Sequence, residues 1–253
     1  LGRLAQQLDV TVPAPLVAGR PTDRYPWHWS VVPWVEGRAA GSVDREGLRE
    51  IASPLARFFA QLHTPAPPQA PVNEVRGGPL LTRDTAVRER LARLAHPRGT
   101  ELVAAWEAAL GAPAWDGPAL WLHGDPHPFN IVVSEAPSGS LSQDWVTLRA
   151  VVDFGDMTSG DPACDLAAAW LVFDRPGRRV FRAAVDEHAA GTAPTGGPDH
   201  ERAPRAVPLD AAVWRRAHGW GLVLATALLE HSDDDPVFAA MGARTVEALL
   251  DDL

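Results

Sequence analysis

Apolar residues recur along the chain in two rhythms. From Asp44 onward Leu48, Ile51, Leu55, Phe58, Phe59 and Leu62 fall three or four residues apart, which predicts a helix of about five turns over residues 44–63. Pro54 is expected to kink it. The same spacing predicts helices over 82–95, 100–110, 162–174, 178–190, 210–231 and 236–250, and Leu1, Leu4, Ala5 and Leu8 follow it with no cap before them. Short apolar runs bounded by turn formers predict buried strands over 120–122, 131–133 and 150–152. Residues 16–18 and 29–35 suggest a small antiparallel sheet, after which 36–41 break the pattern. Residues 64–79 read as a proline-rich loop and 191–208, rich in Gly, Pro and Thr, as a mobile surface loop. No repeat of solenoid length emerges. Helices and strands segregate rather than alternate, so the expected class is α+β, mostly helical with a small β-hairpin in its middle.

With 253 residues and 46% apolar content, the chain can bury a sizeable core. Its longest apolar stretches, 166–173 and 222–229, fall short of the ~20 residues a bilayer span needs. The single cysteine, Cys164, can form neither an internal disulfide nor a thiolate cluster, and no signal peptide is recognisable, so a cytoplasmic location is expected. All 23 basic residues are arginine, and lysine is absent. The net charge of −9, without a basic stripe, disfavours nucleic acid as a partner. Acids gather at the end of the chain, seven against Arg244 over the last 24 residues. Glu230, Asp233 and Asp234, with Asp235 beside them, are therefore candidates for holding a cationic ligand, the alternative being a solubilising surface.

The informative segment runs Leu122-His123-Gly124-Asp125-Pro126-His127-Pro128-Phe129-Asn130, ahead of the apolar run 131–133, and is followed after a polar loop by Asp153-Phe154-Gly155-Asp156. If 131–133 and 150–152 pair as an antiparallel hairpin, Asn130 before the first strand and Asp153 after the second lie side by side, with opposed Cα atoms about 4.5–5.5 Å apart. An amide oxygen and a carboxylate so placed suit one magnesium ion, which completes its shell with water and phosphate. Asp125 would sit near that ion without binding it. Phosphoryl transfer needs these parts: cations against the γ-phosphate charge and one carboxylate to orient and deprotonate the attacking hydroxyl. The spacing H-x-D-x-x-x-x-N and the triplet Asp153-Phe154-Gly155 match protein-kinase catalytic and metal-binding loops, with Gly124 in place of arginine. A rival reading takes His123, Asp125, His127 and Asp153 as ligands of a metal-dependent hydrolase, but it accounts for neither Asn130 nor the triplet. Otherwise His123 reads as a structural histidine of its loop and His127 as an exposed loop residue.

His123-Gly124-Asp125 with Asn130, then Asp153-Phe154-Gly155-Asp156 and Gly160-Asp161-Pro162-Ala163-Cys164-Asp165-Leu166-Ala167, closely resemble the aminoglycoside phosphotransferase family, small-molecule kinases with a protein-kinase-like fold. The stretch 25–37 resembles the family's last N-lobe strand and hinge, and the resemblance spans residues 15–173. It implies that 1–36 are a partial N-lobe and 37–253 a helical C-lobe. It makes Asp125 the catalytic base and Asn130 and Asp153 the Mg2+ ligands, with His123 in support and Asp165 a buried acceptor bracing the catalytic loop. It sets Val32, Pro33, Trp34 and Val35 against the adenine of ATP, or the base of GTP, over an apolar floor of Val132 and Val152. Trp27, Trp29 and Trp34 are then expected to pack at the hinge, while Trp106, Trp170, Trp214 and Trp220 lie on apolar helix faces. The implied acceptor is a hydroxylated small molecule, and the negative charge would suit an aminoglycoside-type antibiotic; a truncated, non-catalytic binding protein is the alternative. The family's phosphate-covering loop and strand lysine have no counterpart here, and the chain reads as beginning inside a longer protein. Weak binding of Mg·ATP to residues 1–253 is therefore predicted, and tight binding in isothermal titration would contradict it.

Overall fold

The computed structural model describes residues 1–134, 146–191, 208–232 and 234–253. The loop expected over 191–208 lies almost wholly outside the described residues. The apolar stripe from Leu48 to Leu62 forms, but not as one kinked helix. Asp44 Oδ1 accepts the Gly47 amide at 2.9 Å ahead of a 3-10 turn, Gly47–Ile51, and helix α1 runs only from Ala52 to Leu62. Pro54 thus falls in the first turn of α1, where its missing N–H forfeits no intrahelical bond, and the expected kink has no cause. Leu55, Phe58, Phe59 and Leu62 are buried, each contributing about 1.5–3 kcal/mol.

The further helices are α2 (Asp84–Leu94), α3 (Gly99–Leu110), α4 (Ala163–Leu166), α5 (Ala168–Val172), α6 (Arg175–Ala189), α7 (Val213–Glu230) and α8 (Pro236–Leu250). The 162–174 helix is therefore two short ones. It stops at Val172 because Phe173 turns extended, which lets Asp174 cap α6 through the Gly177 amide. α1 packs on α6, while α7 is wrapped by α8, α4, α3 and α2, so Trp220, Leu222, Val223, Leu224 and Ala225 are buried in one continuous run. No helix among the described residues is long and apolar enough to cross a membrane.

The strands are short. β1 (Val17–Gly19) pairs antiparallel with β2 (Trp29–Val31); β3 (Arg38–Ala39), β5 (Ile131–Val133) and β6 (Leu148–Val151) form an antiparallel sheet in the order β3-β5-β6; and β4 (Leu120–Leu122) pairs with β7 (Thr158–Gly160). β3 lies where a break was expected, and β7 has no apolar run to announce it. Both hold their place through the partner strand rather than through their own composition. At the start of the chain, helical spacing yields only a 3-10 turn, Leu4–Gln6. Beyond it the Thr11 carbonyl accepts the Val151 amide at 3.1 Å, along the edge of β6.

Trp106, Trp170 and Trp220 are at most 1% exposed on their helix faces, and Trp214 is partly buried. The hinge tryptophans differ from expectation. Trp27, Trp29 and Trp34 are 65%, 45% and 84% exposed, because no layer among the described residues covers the β1–β2 pair. Trp29 instead lies across Gly19, where a Cβ would stand 1.9 Å from its ring.

One buried ion network fixes the segment after β7 to α7. Arg216 donates to both oxygens of Asp161 (2.6 and 3.2 Å), both of Asp210 (3.0 and 2.7 Å) and the Pro113 carbonyl (2.9 Å). Burial holds the Asp161 carboxyl above its usual pKa even against this arginine, so removing the partner leaves a charge that water cannot reach. Arg216→Leu should cost about 3–5 kcal/mol in urea unfolding, and a loss under about 1 kcal/mol would contradict the role given to the network.

Candidate active site

β4 delivers Leu122 into the core and the next residues into a loop held by one carboxylate. Asp165, in α4, is fully buried. Its Oδ2 accepts the His123 amide (2.8 Å) and His63 Nε2 (3.1 Å), and its Oδ1 accepts the Gly124 amide (2.9 Å). Hydrogen bonds to an ionised acceptor are among the stronger ones, which is how a charge tolerates this depth. Gly124 is at φ +89°, and a Cβ there would stand 2.3 Å from the Asp156 carbonyl oxygen, so the loop closes against the later segment only with glycine.

His123 links the two halves of the motif. Its Nδ1 accepts the Asp125 amide (3.2 Å) and its Nε2 donates to the Val152 carbonyl (2.8 Å), a pair of partners that requires the neutral tautomer protonated at Nε2. Its ring lies 4.7 Å from that of Phe154. The β5–β6 register, Ile131 opposite Val151, continues one step further: the Val152 amide donates to the Asn130 carbonyl at 2.8 Å. Asp153 follows directly, at φ +59°, a left-handed conformation that Asp tolerates better than most residues, and its Oδ1 accepts the Gly155 amide at 3.3 Å. Asn130 Nδ2 donates to the Asp125 carbonyl (3.0 Å) and stands 3.4 Å from Asp125 Oδ2. Asp125, Asn130, Asp153, His123 and Asp165 are thus tied into one unit by hydrogen bonds and the hairpin.

Of two neighbours of Asp125, one is placed differently from the expectation and the other was not anticipated. His127 is buried rather than exposed, with Nδ1 accepting the Phe129 amide and Nε2 lying 3.3 Å from Asp125 Oδ2. Arg76, in the proline-rich loop, brings Nη2 to 3.9 Å from Asp125 Oδ1. Burial pushes the Asp125 carboxyl up, but the His127 hydrogen bond, together with the Arg76 charge, outweighs it and holds the group below its ordinary pKa. A cavity of about 350 Å³ opens on Asp125, Arg76 and His127, closed on its far side by α7 and the start of α8.

The other expected contacts are placed elsewhere. Glu230 does not line this cavity; it is paired with Arg90 and Arg93, whose hydrogen bonds hold its carboxyl below its usual range. Asp234 is exposed and outside the cavity, Asp233 lies outside the described residues, and Asp235 is the acid that reaches it. Val32 and Trp34 are exposed, and Pro33, Val35, Val132 and Val152 half-buried. Val32–Val35 precede β3, whose Ala39 pairs with Val132. Among the described residues no three His, Cys, Asp or Glu side chains gather as metal ligands, so the hydrolase reading finds no ligand cluster.

The model of the phosphotransferase enzyme family designated APH matches residues 1–232. The chain belongs to that family. Solved structures similar to this phosphotransferase family member include APH(2")-IIia with GDP and kanamycin (18% identity, 99% of this chain and 80% of that one, TM-score 0.60). Wild-type aminoglycoside 2'-phosphotransferase-IIIa with GDP (16%, 100% and 80%, 0.58) and macrolide 2'-phosphotransferase MphH from Brachybacterium faecium (20%, 97% and 76%, 0.52) are similar too. At these identities the likeness establishes a shared kinase-like α+β fold. No curated protein sequence matches the chain significantly.

In this family member the Asp165 anchor is open to a direct test. Asp165→Ala leaves three buried donors without an acceptor and should destabilise by about 3–5 kcal/mol in urea unfolding, a loss under about 1 kcal/mol counting against the anchor.

Proposed function

We propose that this protein transfers the γ-phosphoryl group of a nucleoside triphosphate, ATP or GTP, to a hydroxyl of a small molecule. The observation that carries the reading is the Asn130 amide bonded to Asp125 on one side while the Asn130 carbonyl takes the amide next to Asp153 on the other. These bonds bring Asp125, Asn130 and the backbone leading into Asp153 to one end of a hairpin, and this reading gives the three residues different tasks.

In this reading Asp125 is the base. It accepts the alcohol proton as the alcohol oxygen bonds to the γ-phosphorus and the bond to the bridging oxygen breaks, releasing the nucleoside diphosphate. Its lowered pKa keeps it ionised through the neutral range. His127 holds the carboxylate in place from the acceptor side and Asn130 from the other, with the Arg76 charge nearby but beyond hydrogen-bond range. Asn130 and Asp153 suit magnesium: both offer hard oxygen donors, the Asn130 Nδ2 is engaged with Asp125 and so directs its Oδ1 elsewhere, and Asp153 is solvent-exposed. When bound, the ion would offset the charge of the transferring phosphates. Val32, Pro33, Trp34 and Val35, with Val132 and Val152, are assigned to the nucleotide base, and 1–36 and 37–253 to the two lobes. The acceptor is taken as a hydroxylated small molecule; the solved relatives are named for aminoglycosides and a macrolide. A cytoplasmic setting supplies the triphosphate.

Asp125→Asn should lower acceptor phosphorylation about 10²–10⁴-fold with an unchanged melting temperature, and retained transfer would remove the base from this account. The sign of the Asp125 shift adds a second check: a folded pKa below the ordinary ~3.9 keeps the base form as pH falls, so the acidic limb of kcat/KM assigned to Asp125 should lie below that value.

A further inference from the structure

The cavity beside Asp125 is unequal in its walls. α5, α7 and α8 give it Leu171, Leu224, Leu228 and Phe238, an apolar face on which the carbon skeleton of a ligand can lie. Two carboxylates among the described residues reach it, and both are engaged. Asp125 lies between His127 and Arg76, while Asp235 Oδ1 accepts the Val237 and Phe238 amides (2.9 and 3.2 Å) at the start of α8. His231 lies exposed at the rim.

Arg76 differs from both acids. Its Nε is buried with no hydrogen-bond partner, its Nη1 makes one long bond to the Val75 carbonyl (3.4 Å), and its Nη2 stays 3.9 Å from Asp125, beyond hydrogen-bond range. A guanidinium has five N–H donors in a planar fork; the Arg76 side chain is 19% exposed and lines the cavity, so the donors of its two terminal nitrogens, and not the closed-off Nε, are the ones a ligand there can take. On a cavity wall, that fork is shaped for paired oxygens and repels ammonium groups.

We propose that Arg76 is a specificity-determining residue of the acceptor pocket, whose guanidinium receives an oxygen group, a carboxylate foremost, of an alcohol lying on the apolar face, and whose charge turns polyamines away. The inference rests on the phosphotransferase reading in taking this cavity as the acceptor's. Because Arg76 and Asp125 are adjacent, the oxygen group and the reacting hydroxyl belong within a few bonds of each other in the same molecule. Of the acidic end of the chain, Glu230 is held by Arg90 and Arg93 away from the cavity, and Asp235, which lines it, is engaged by the first amides of α8.

Three polyols of one carbon skeleton test it: gluconate, glucitol and glucamine, carrying a carboxylate, a hydroxyl and an ammonium. Affinities are measured by ligand-observed NMR without nucleotide. Wild type should bind gluconate about tenfold more tightly than glucamine, with glucitol between. Arg76→Lys should keep the order, Arg76→Gln should flatten it to within about twofold, and Arg76→Glu should invert it. If Arg76→Glu fails to fold, Arg76→Gln carries the comparison. Glucamine binding as tightly as gluconate, an unchanged ranking in Arg76→Gln, or no gluconate binding up to about 10 mM would each overturn the proposal. A protein that ranks the polyols as stated but transfers no phosphate loses the activity and keeps this pocket chemistry; one that transfers phosphate and prefers the amine loses this proposal alone.

Discussion

A carboxylate without contact to water holds the site together. Asp165 gathers two backbone amides of the Asp125 loop and the imidazole at the end of α1, so the loop is fixed at once to α4 and to the first long helix of the core. Desolvating such a charge is unfavourable by several kcal/mol, and three aligned donors offset it only in one geometry. A loop that would otherwise sample many backbone states is thereby restricted. Precision travels onward through His123, one face of which serves the Asp125 amide and the other the Val152 carbonyl. The position of Asp153 is in this sense inherited from Asp165, through a neutral imidazole and one register of a short hairpin.

A second anchor acts on the same stretch of chain. Arg216 grips Asp161 from α7, the helix that also walls the cavity beside Asp125. Between the two anchors the chain passes from β7 into α4 with both ends held by buried ionic groups. Movement of α7 would be felt at Asp161 and at the apolar wall together, which couples the shape of the cavity to the packing of the helical body.

What could be read from the letters was what neighbours in sequence decide. That the two apolar runs pair was legible, but the register was not: Ile131 stands opposite Val151 and Asn130 opposite Val152, with an irregularity between Val132 and Val133, so Asp153 lies one residue beyond the position opposed to Asn130. Most helices followed from their apolar spacing, to within a few residues. Arg76 could not be found this way: it is one arginine in a proline-rich loop, brought beside Asp125 by tertiary contacts alone. His127 was mistaken for an exposed residue because its burial comes from Phe129 and, far along the chain, Phe238. Glu230 drew attention through local charge, but its partners Arg90 and Arg93 lie on another helix. β3 has only two residues and β7 no apolar run to mark it, and Trp27, Trp29 and Trp34 look like core residues in composition, whereas Trp29 lies on β2 and the other two on the chain flanking it, where no layer among the described residues covers them.

In the proposed reaction Asn130 and Asp153 share one divalent ion beside Asp125. Mn2+ titrated into protein with the Asn130 side-chain amide and the Asp153 backbone amide assigned by NMR measures this directly, since a paramagnetic ion broadens only nearby signals. Both signals should broaden together at one stoichiometric equivalent, and Asp153→Ala should abolish the effect at Asn130. Broadening confined to another region, or unchanged in Asp153→Ala, would contradict the account.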